Sequence, residues 1–292
     1  MPELMKGHVF ADHAHKLVYP VRCEFKVDEV RVHMLRRPNG LIEYLSYAGK
    51  PLYNLGMFSE QLSALMHHFG LTELDCGFEA MHDFTQSKRW VRSSRGLPVD
   101  LAANRSDYRF ILFDDPNSTQ EYRQRCYYLA TLTKHANALG LKLDRPEWVD
   151  AHDESDVHSA YAEARKRGFE GLMVKTYDHK YQRGKRIDGW LKYKPSLDEA
   201  GVVVAAQVAI CGKDQPDLCL KKGDSLHRIG SITVRMPDGS LASPHGIPHD
   251  LGRQWYNNPK EIIGETVEFC YMERDTQGGY RHCTFWRVRG DV

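Results

Sequence analysis

The pattern of the chain changes character at Ser196–Gly201, and that change limits the folds open to it. Before it, runs with helical spacing alternate with runs of period two. After it come short strand-like runs at Val202–Ala209, Gly230–Met236, Thr266–Met272 and Thr284–Arg289, with one helical piece at Leu251–Tyr256. Turn signals separate them, among them Pro237-Asp238-Gly239 and Thr276-Gln277-Gly278-Gly279. Several short strands and one helix in about ninety residues predict a small β-barrel, best matched by an OB-fold. Ser196–Gly201 reads as a linker. With 292 residues the chain is long enough for two domains.

The earlier part reads as mixed α and β. Val18–Val21 and Val32–Leu35 read as strands on either side of Glu24–Arg31, with a hairpin turn at Arg37-Pro38-Asn39-Gly40 and a further strand over Leu41–Tyr47. Ser59–Phe69 is helical, with Leu62, Leu65 and Met66 on one face and Gly70 as the stop. Leu71–Met81 and Tyr108–Asp115 read as strands. Ser118 and Glu121 form a capping-box pattern for a helix that runs to Leu139, and a second helix spans Glu154–Arg167.

Composition excludes several classes. Charged residues are 27% and hydrophobic ones 41%, which is the globular range. No apolar run approaches the roughly 20 residues that span a bilayer, and the N-terminal residues lack the apolar core of a signal peptide. Seven scattered cysteines without a Cys-x-x-Cys pair predict reduced thiols and a cytoplasmic location. The fifteen histidines, including Met66-His67-His68 and His245/His249, show no spacing that points to a metal site.

Net charge is only +1, so an anion-binding surface must come from local clustering. Arg165–Lys194 holds ten basic residues against three acidic ones, a local excess of seven, and Lys88, Arg89, Arg92 and Arg95 form a second group. Phosphate ligands suit such runs. In Trp190-Leu191-Lys192-Tyr193-Lys194-Pro195, period two puts Lys192 and Lys194 on one side and Leu191 and Tyr193 on the other. Two like charges side by side cost free energy unless an anion lies between them, which points to a phosphate site. Lys26 sits among carboxylates in Glu24-Phe25-Lys26-Val27-Asp28-Glu29-Val30-Arg31. It becomes a nucleophile only on losing its proton, and neighbouring cations lower the pKa that controls this. The alternative for that stretch is a salt-bridged hairpin.

Taken together, these segments resemble the ATP-dependent polynucleotide ligases of the covalent nucleotidyltransferase superfamily, and most closely the small phage-type DNA ligases. The resemblance runs from about Val18 to Asp291. Glu24–Arg31 resembles the motif Lys-x-Asp-Gly-x-Arg. By that match Lys26 attacks the α-phosphorus of ATP and carries AMP, Glu24 reads the adenine amino group, and Arg31 holds ribose or phosphate. Ser46–Lys50 resembles Ser-Arg-x-Gly, and Leu74–Glu79 resembles Asp-Gly-Glu with Glu79 as the functional acid. Phe113 matches the aromatic that stacks on adenine. Glu170–Lys175 matches the fourth motif, with Glu170 at the metal and Lys175 at the phosphate. Lys192 and Lys194 match the two lysines of the fifth, and Arg289 and Asp291 match the tail that orients pyrophosphate.

The resemblance implies an α+β adenylation domain over residues 1–196, with antiparallel sheets and flanking helices, and an OB-fold β-barrel over 197–292. It implies ATP, with Mg2+ or Mn2+, and nicked duplex DNA as partner of a monomer that encircles the nick and whose barrel swings between closing on ATP and clamping the duplex. An RNA ligase, a capping-type nucleotidyltransferase or a clamp that has lost its chemistry are the alternatives. The sequence departs from the pattern at Glu29, in place of glycine, at Tyr47, in place of arginine, and at Val292, where a lysine often follows. The cationic cluster of Lys175, Lys192 and Lys194 is expected to favour a neutral Lys26 by like-charge repulsion.

Overall fold

The computed structural model describes residues 4–275 and 278–289. Part of the turn read at Thr276-Gln277, and the tail positions Asp291 and Val292, lie outside the described residues. The chain divides into two compact units, Met1–Tyr193 and Lys194–Val292.

The first unit carries two five-stranded sheets. One has the order Lys6–Val9, Arg186–Tyr193, Gly171–Thr176, Val21–Lys26, Trp148–Ala151; its first pair is parallel and the rest antiparallel. The other has the order Ile42–Ser46, Val30–Arg36, Glu73–Ala80, Tyr108–Asp114, Leu143–Asp144; here only the last pair is parallel. Strands alternate as their side-chain period requires. Val21, Cys23 and Phe25 enter a core with Val157 and Ala160 of helix Glu154–Lys166 and with Leu172, Val174 and Leu191. That leaves Glu24 and Lys26 on the opposite face. The second sheet buries Val32, Phe78 and Phe110 against Leu62, Trp90 and Leu129 of three helices, Ser59–His68, Phe84–Arg92 and Tyr122–Ala138. Each such large side chain contributes roughly 1.5–3 kcal/mol when fully buried.

The two strands flanking Lys26 are not a hairpin. Val21–Lys26 belongs to the first sheet and Val30–Arg36 to the second. Val27, Asp28 and Glu29 carry the chain across, so Lys26 stands where one sheet hands over to the other. The box that opens the long helix also differs from expectation. It sits at Glu121, whose backbone N–H donates to Gln124 Oε1 at 3.3 Å, and the helix starts at Tyr122.

In the second unit the expected linker is strand. Leu197–Ile210 pairs from its first residue, Leu197 with Tyr271. The five-stranded sheet runs Leu241–Ala242, Ser225–Arg235, Leu197–Ile210, Thr266–Tyr271, Thr284–Val288, all antiparallel. Its ladders do not close into a barrel among the described residues, although His245 makes single bridges to Ser231 and Thr284. Val203, Ile232, Val234, Phe269 and Phe285 form its core, covered by Trp255 of helix His249–Asn257. None of the seven cysteines forms a disulfide, and no helix among the described residues is long and apolar enough to cross a membrane.

Candidate active site

A cavity of about 260 Å³ opens in the first unit where Lys26 ends its strand. The first sheet supplies Glu24, Lys26, Lys175, Trp190 and Lys192 to its lining, and the second supplies Arg31 and Phe113. Glu29 reaches in from the crossing. Period two explains the set. Trp190 and Lys192 share a face of Arg186–Tyr193, while Leu191 turns into the core.

The charges pair in an unexpected way. Glu170 Oε2 receives a hydrogen bond from the Lys26 ammonium, and Glu29 Oε2 lies 3.8 Å from it. Burial alone pushes the Lys26 pKa down, but Glu29 and Glu170 outweigh burial and hold it above the ordinary lysine value. The expectation that neighbouring cations keep Lys26 neutral is therefore wrong for this state. One of those cations, Lys175, faces a carboxylate instead: its Nζ is 2.6 Å from Glu24 Oε2, and both side chains are buried. Arg145 donates to Glu24 Oε1 at 3.1 Å, and the Tyr122 hydroxyl donates to the same oxygen. Burial pushes the Glu24 carboxyl up, yet Lys175 and Arg145 bring it below its usual range.

Glu29 has the opposite fate. Burial raises its pKa to about 7, against the pull of Lys26 and with a smaller push from Glu170. Its bulk fits because position 77 is glycine. A Cβ on Gly77 would collide with Glu29 Cγ and come within 2.9 Å of Phe113. The glycine missing from the Lys26 loop is thus offset by one on the facing strand. Asp75, two residues earlier on the same face, takes Arg31 in a two-pronged pair, with Nε 2.8 Å from Oδ1. Tyr181 donates to Asp75 Oδ2 at 2.8 Å.

Seven of the ten residues singled out from sequence belong to this cluster: Glu24, Lys26, Arg31, Phe113, Lys175 and Lys192 as cavity lining, and Glu170 through Lys26. Three do not. Glu79 bonds Arg109 and lies 3.3 Å from His82, lining a separate cavity of about 300 Å³. Lys194 belongs to the second unit, with its Nζ 4.0 Å from Met272 Sδ. Arg289 is exposed in that unit, 3.9 Å from Glu268. Sequence reasoning passed over Asp75, which was visible beside Gly77, and Trp190, which period two places with Lys192. Arg145 and Tyr122 carried no local signal.

A strand-end lysine bonded to a carboxylate, in a cavity that also holds Arg31, Lys175, Lys192 and Phe113, carries the groups of a covalent nucleotidyltransferase. The chain belongs to the ATP dependent DNA ligase domain family, whose model matches residues 10–194. The DNA ligase of Enterobacteria phage T3 is 27% identical over 149 residues, 49% of this chain and 40% of that protein. The chain spans less than half the length of the curated relatives it matches. Among solved structures, one from a study of DNA binding with a minimal scaffold in Lig E DNA ligases superposes with a TM-score of 0.72 at 18% identity, covering 99% of this chain and 100% of that one. The ATP-dependent DNA ligase of bacteriophage T7, in complex with ATP, superposes with a TM-score of 0.55 at 18% identity, covering 98% of each. At such identity these likenesses concern the fold.

Proposed function

We propose that this chain is an ATP-dependent ligase that seals 5′-phosphate/3′-hydroxyl nicks in duplex DNA through a Lys26–AMP intermediate. The observation that carries the reading is the placement of Lys26 Nζ in a cavity lined by Phe113, Arg31, Lys175 and Lys192. Phosphoryl transfer needs in-line placement and charge neutralisation, and the cationic side chains of this lining supply the second.

Lys26 Nζ, once neutral, attacks the α-phosphorus of ATP, and the bond to pyrophosphate breaks. The AMP passes to the 5′-phosphate at the nick and frees Lys26. The 3′-hydroxyl then attacks that phosphate and AMP leaves. Phe113 stacks on adenine, Arg31 holds ribose or phosphate with Asp75 behind it, and Lys192 neutralises the α-phosphate. Lys194 as a second α-phosphate ligand and Arg289 as the pyrophosphate ligand have weaker support, because both belong to the second unit and neither lines this cavity. Glu24 orients Lys175 and reads the base edge. Glu79 has weaker support, because it bonds Arg109 in a separate cavity.

Glu170 offers a buried carboxylate beside Lys26, a hard oxygen donor of the kind magnesium prefers. Magnesium held there, with manganese as a substitute, would add positive charge at the phosphates. We take residues 1–196 as an adenylation domain and 197–292 as an OB-fold domain, the latter supported by the five-stranded antiparallel sheet and the His245 bridges. The reading extends to a cytoplasmic monomer that encircles nicked DNA.

The test is intact mass before and after ATP with magnesium, or after pyrophosphate, beside Lys26→Ala. Gain or loss of one AMP by the wild type alone supports the reading. A wild type that never carries AMP overturns it. Sealing of DNA nicks in preference to RNA nicks then separates a DNA ligase from an RNA ligase, and labelling by ATP but not GTP separates it from a capping enzyme.

A further inference from the structure

Two histidines five residues apart meet an aspartate 175 residues further on at the edge of the first sheet. His8 lies on strand Lys6–Val9, His13 ends the short helix after it, and Asp188 lies on the neighbouring strand Arg186–Tyr193. We propose that His8, His13 and Asp188 form a binding site for a divalent transition-metal ion of the zinc type. The site is separate from the nucleotide cavity and does not depend on the ligase reading.

The geometry carries the proposal. His13 Nδ1 is 2.6 Å from Asp188 Oδ1, and His8 Nε2 is 4.0 Å from the same oxygen. One donor atom from each residue can be chosen so that all three lie within 4.8 Å of one another. The two imidazole rings stack at 3.8 Å between centroids, 21° apart. Zinc holds imidazole nitrogen and carboxylate oxygen at about 2.0–2.2 Å, so the ion would replace the His13–Asp188 hydrogen bond, and the stacked rings would turn to aim one nitrogen each at it.

The backbone is arranged for this meeting. The parallel ladder runs Gly7 with Ile187, then jumps to His8 with Leu191. The irregularity leaves Asp188, Gly189 and Trp190 without a partner in that ladder, and such irregularities re-aim side chains. Here it turns Asp188 toward the two histidines.

One cation shares the aspartate, and the donor types set the choice of ion. Lys16 Nζ is 3.2 Å from Asp188 Oδ2, the oxygen turned away from His13. Lys16 is partly exposed and can keep that oxygen while Oδ1 takes the metal. Two nitrogens and one carboxylate oxygen suit zinc and its neighbours better than magnesium or calcium, which prefer oxygen throughout. The fourth position is left for water. The ion would tie strand Lys6–Val9 to the strand that carries Trp190 and Lys192.

The test is zinc chloride titrated into the full chain against a chromophoric chelator, with His8→Gln, His13→Ala and Asp188→Asn in parallel. One equivalent bound by the wild type is expected, with affinity at least about tenfold weaker in each variant. Cobalt(II) spectra of the wild type give a measurement that does not need the variants to fold. Tetrahedral ligand-field bands without thiolate charge-transfer absorption are expected. Equal zinc binding by wild type and folded variants, a thiolate band that puts the metal on cysteines, or no zinc binding by the wild type would each overturn the proposal.

Discussion

Glu29 Oε2 lies 3.8 Å from Lys26 Nζ, in room that exists because Gly77 opposite has no side chain. The carboxylate occupies the position where the motif has glycine, and it acts on the nucleophile. Ionised Glu29 holds a proton on Lys26, and the nucleophile must be without one. Burial puts the Glu29 pKa at about 7, so its hold on Lys26 grows as pH rises through neutrality. Glu29→Gln is therefore expected to move the pH profile of AMP loading to lower pH. The gain over wild type should be small near pH 6 and reach about tenfold near pH 8, the equivalent of about 1.4 kcal/mol. Labelled AMP transfer across that range measures it, and identical profiles would remove Glu29 from the account.

A second expectation concerns Glu24. Its carboxylate neutralises Lys175 at 2.6 Å and Arg145 at 3.1 Å, all three away from solvent. Removing one partner of a buried pair leaves charge without compensation, at a cost of about 3–5 kcal/mol. Glu24→Gln should lower the stability of the first unit by that order in urea titrations. Glu24→Leu combined with Lys175→Met should recover part of the loss. A Glu24→Gln protein as stable as wild type would mean that water or Tyr122 already screens the pair.

Most of this site was named in the sequence by motif resemblance, and local period accounts for which of those residues share a face. Alternation along six residues puts Lys26 and Glu24 on one strand face, and the same alternation places Lys192 opposite Leu191. What sequence did not reveal depends on pairing at long range. Whether Lys26 meets cations or carboxylates depends on which strands become neighbours. Glu170 arrives through a backbone bond from its N–H to Lys26 O, 144 residues away. His8, His13 and Asp188 have no readable spacing because the third lies 175 residues beyond the second. Ser196–Gly201 reads as a linker, yet the pairing of Leu197–Gly201 with Val267–Tyr271 makes all but its first residue strand. Tertiary pairing there overrides local propensity.

The third motif gives a clean contrast between two acids. Asp75 grips Arg31 in the cavity, while Glu79 bonds Arg109 elsewhere. Asp75→Asn should raise the ATP needed for half-maximal loading by about tenfold, because Arg31 loses the partner that orients it. Glu79→Gln should change that quantity by less than about twofold. The reverse ranking would show that Glu79 reaches the nucleotide in a conformation other than this one.

Acid should weaken the first unit through His179. The ring stacks on Tyr122 at 4.8 Å. Its Nδ1 is 2.7 Å from Thr176 O and its Nε2 is 3.2 Å from an Arg125 nitrogen. With Nδ1 donating, Nε2 must accept, so a second proton would point at a guanidinium. Burial lowers the pKa to about 4 from 6.5, with Asp114 opposing and Arg125 assisting. The unfolded chain therefore binds a proton below about pH 6.5 that the folded chain refuses until about pH 4. Stability from this group is complete above 6.5 and is lost as pH falls, by roughly 2 kcal/mol at pH 5. Glu29 works in the opposite sense over part of the same range: its folded pKa of about 7 exceeds its ordinary 4.5, so its contribution is lost as pH rises through 7. Wild type alone can thus look insensitive to pH. The difference between wild type and His179→Gln isolates the histidine, because Glu29 is common to both. Urea titrations at pH 7 and pH 5 should show the wild type losing about 2 kcal/mol more than the variant between the two conditions. Equal losses would mean that His179 takes up its proton in the folded chain and that Arg125 moves to allow it.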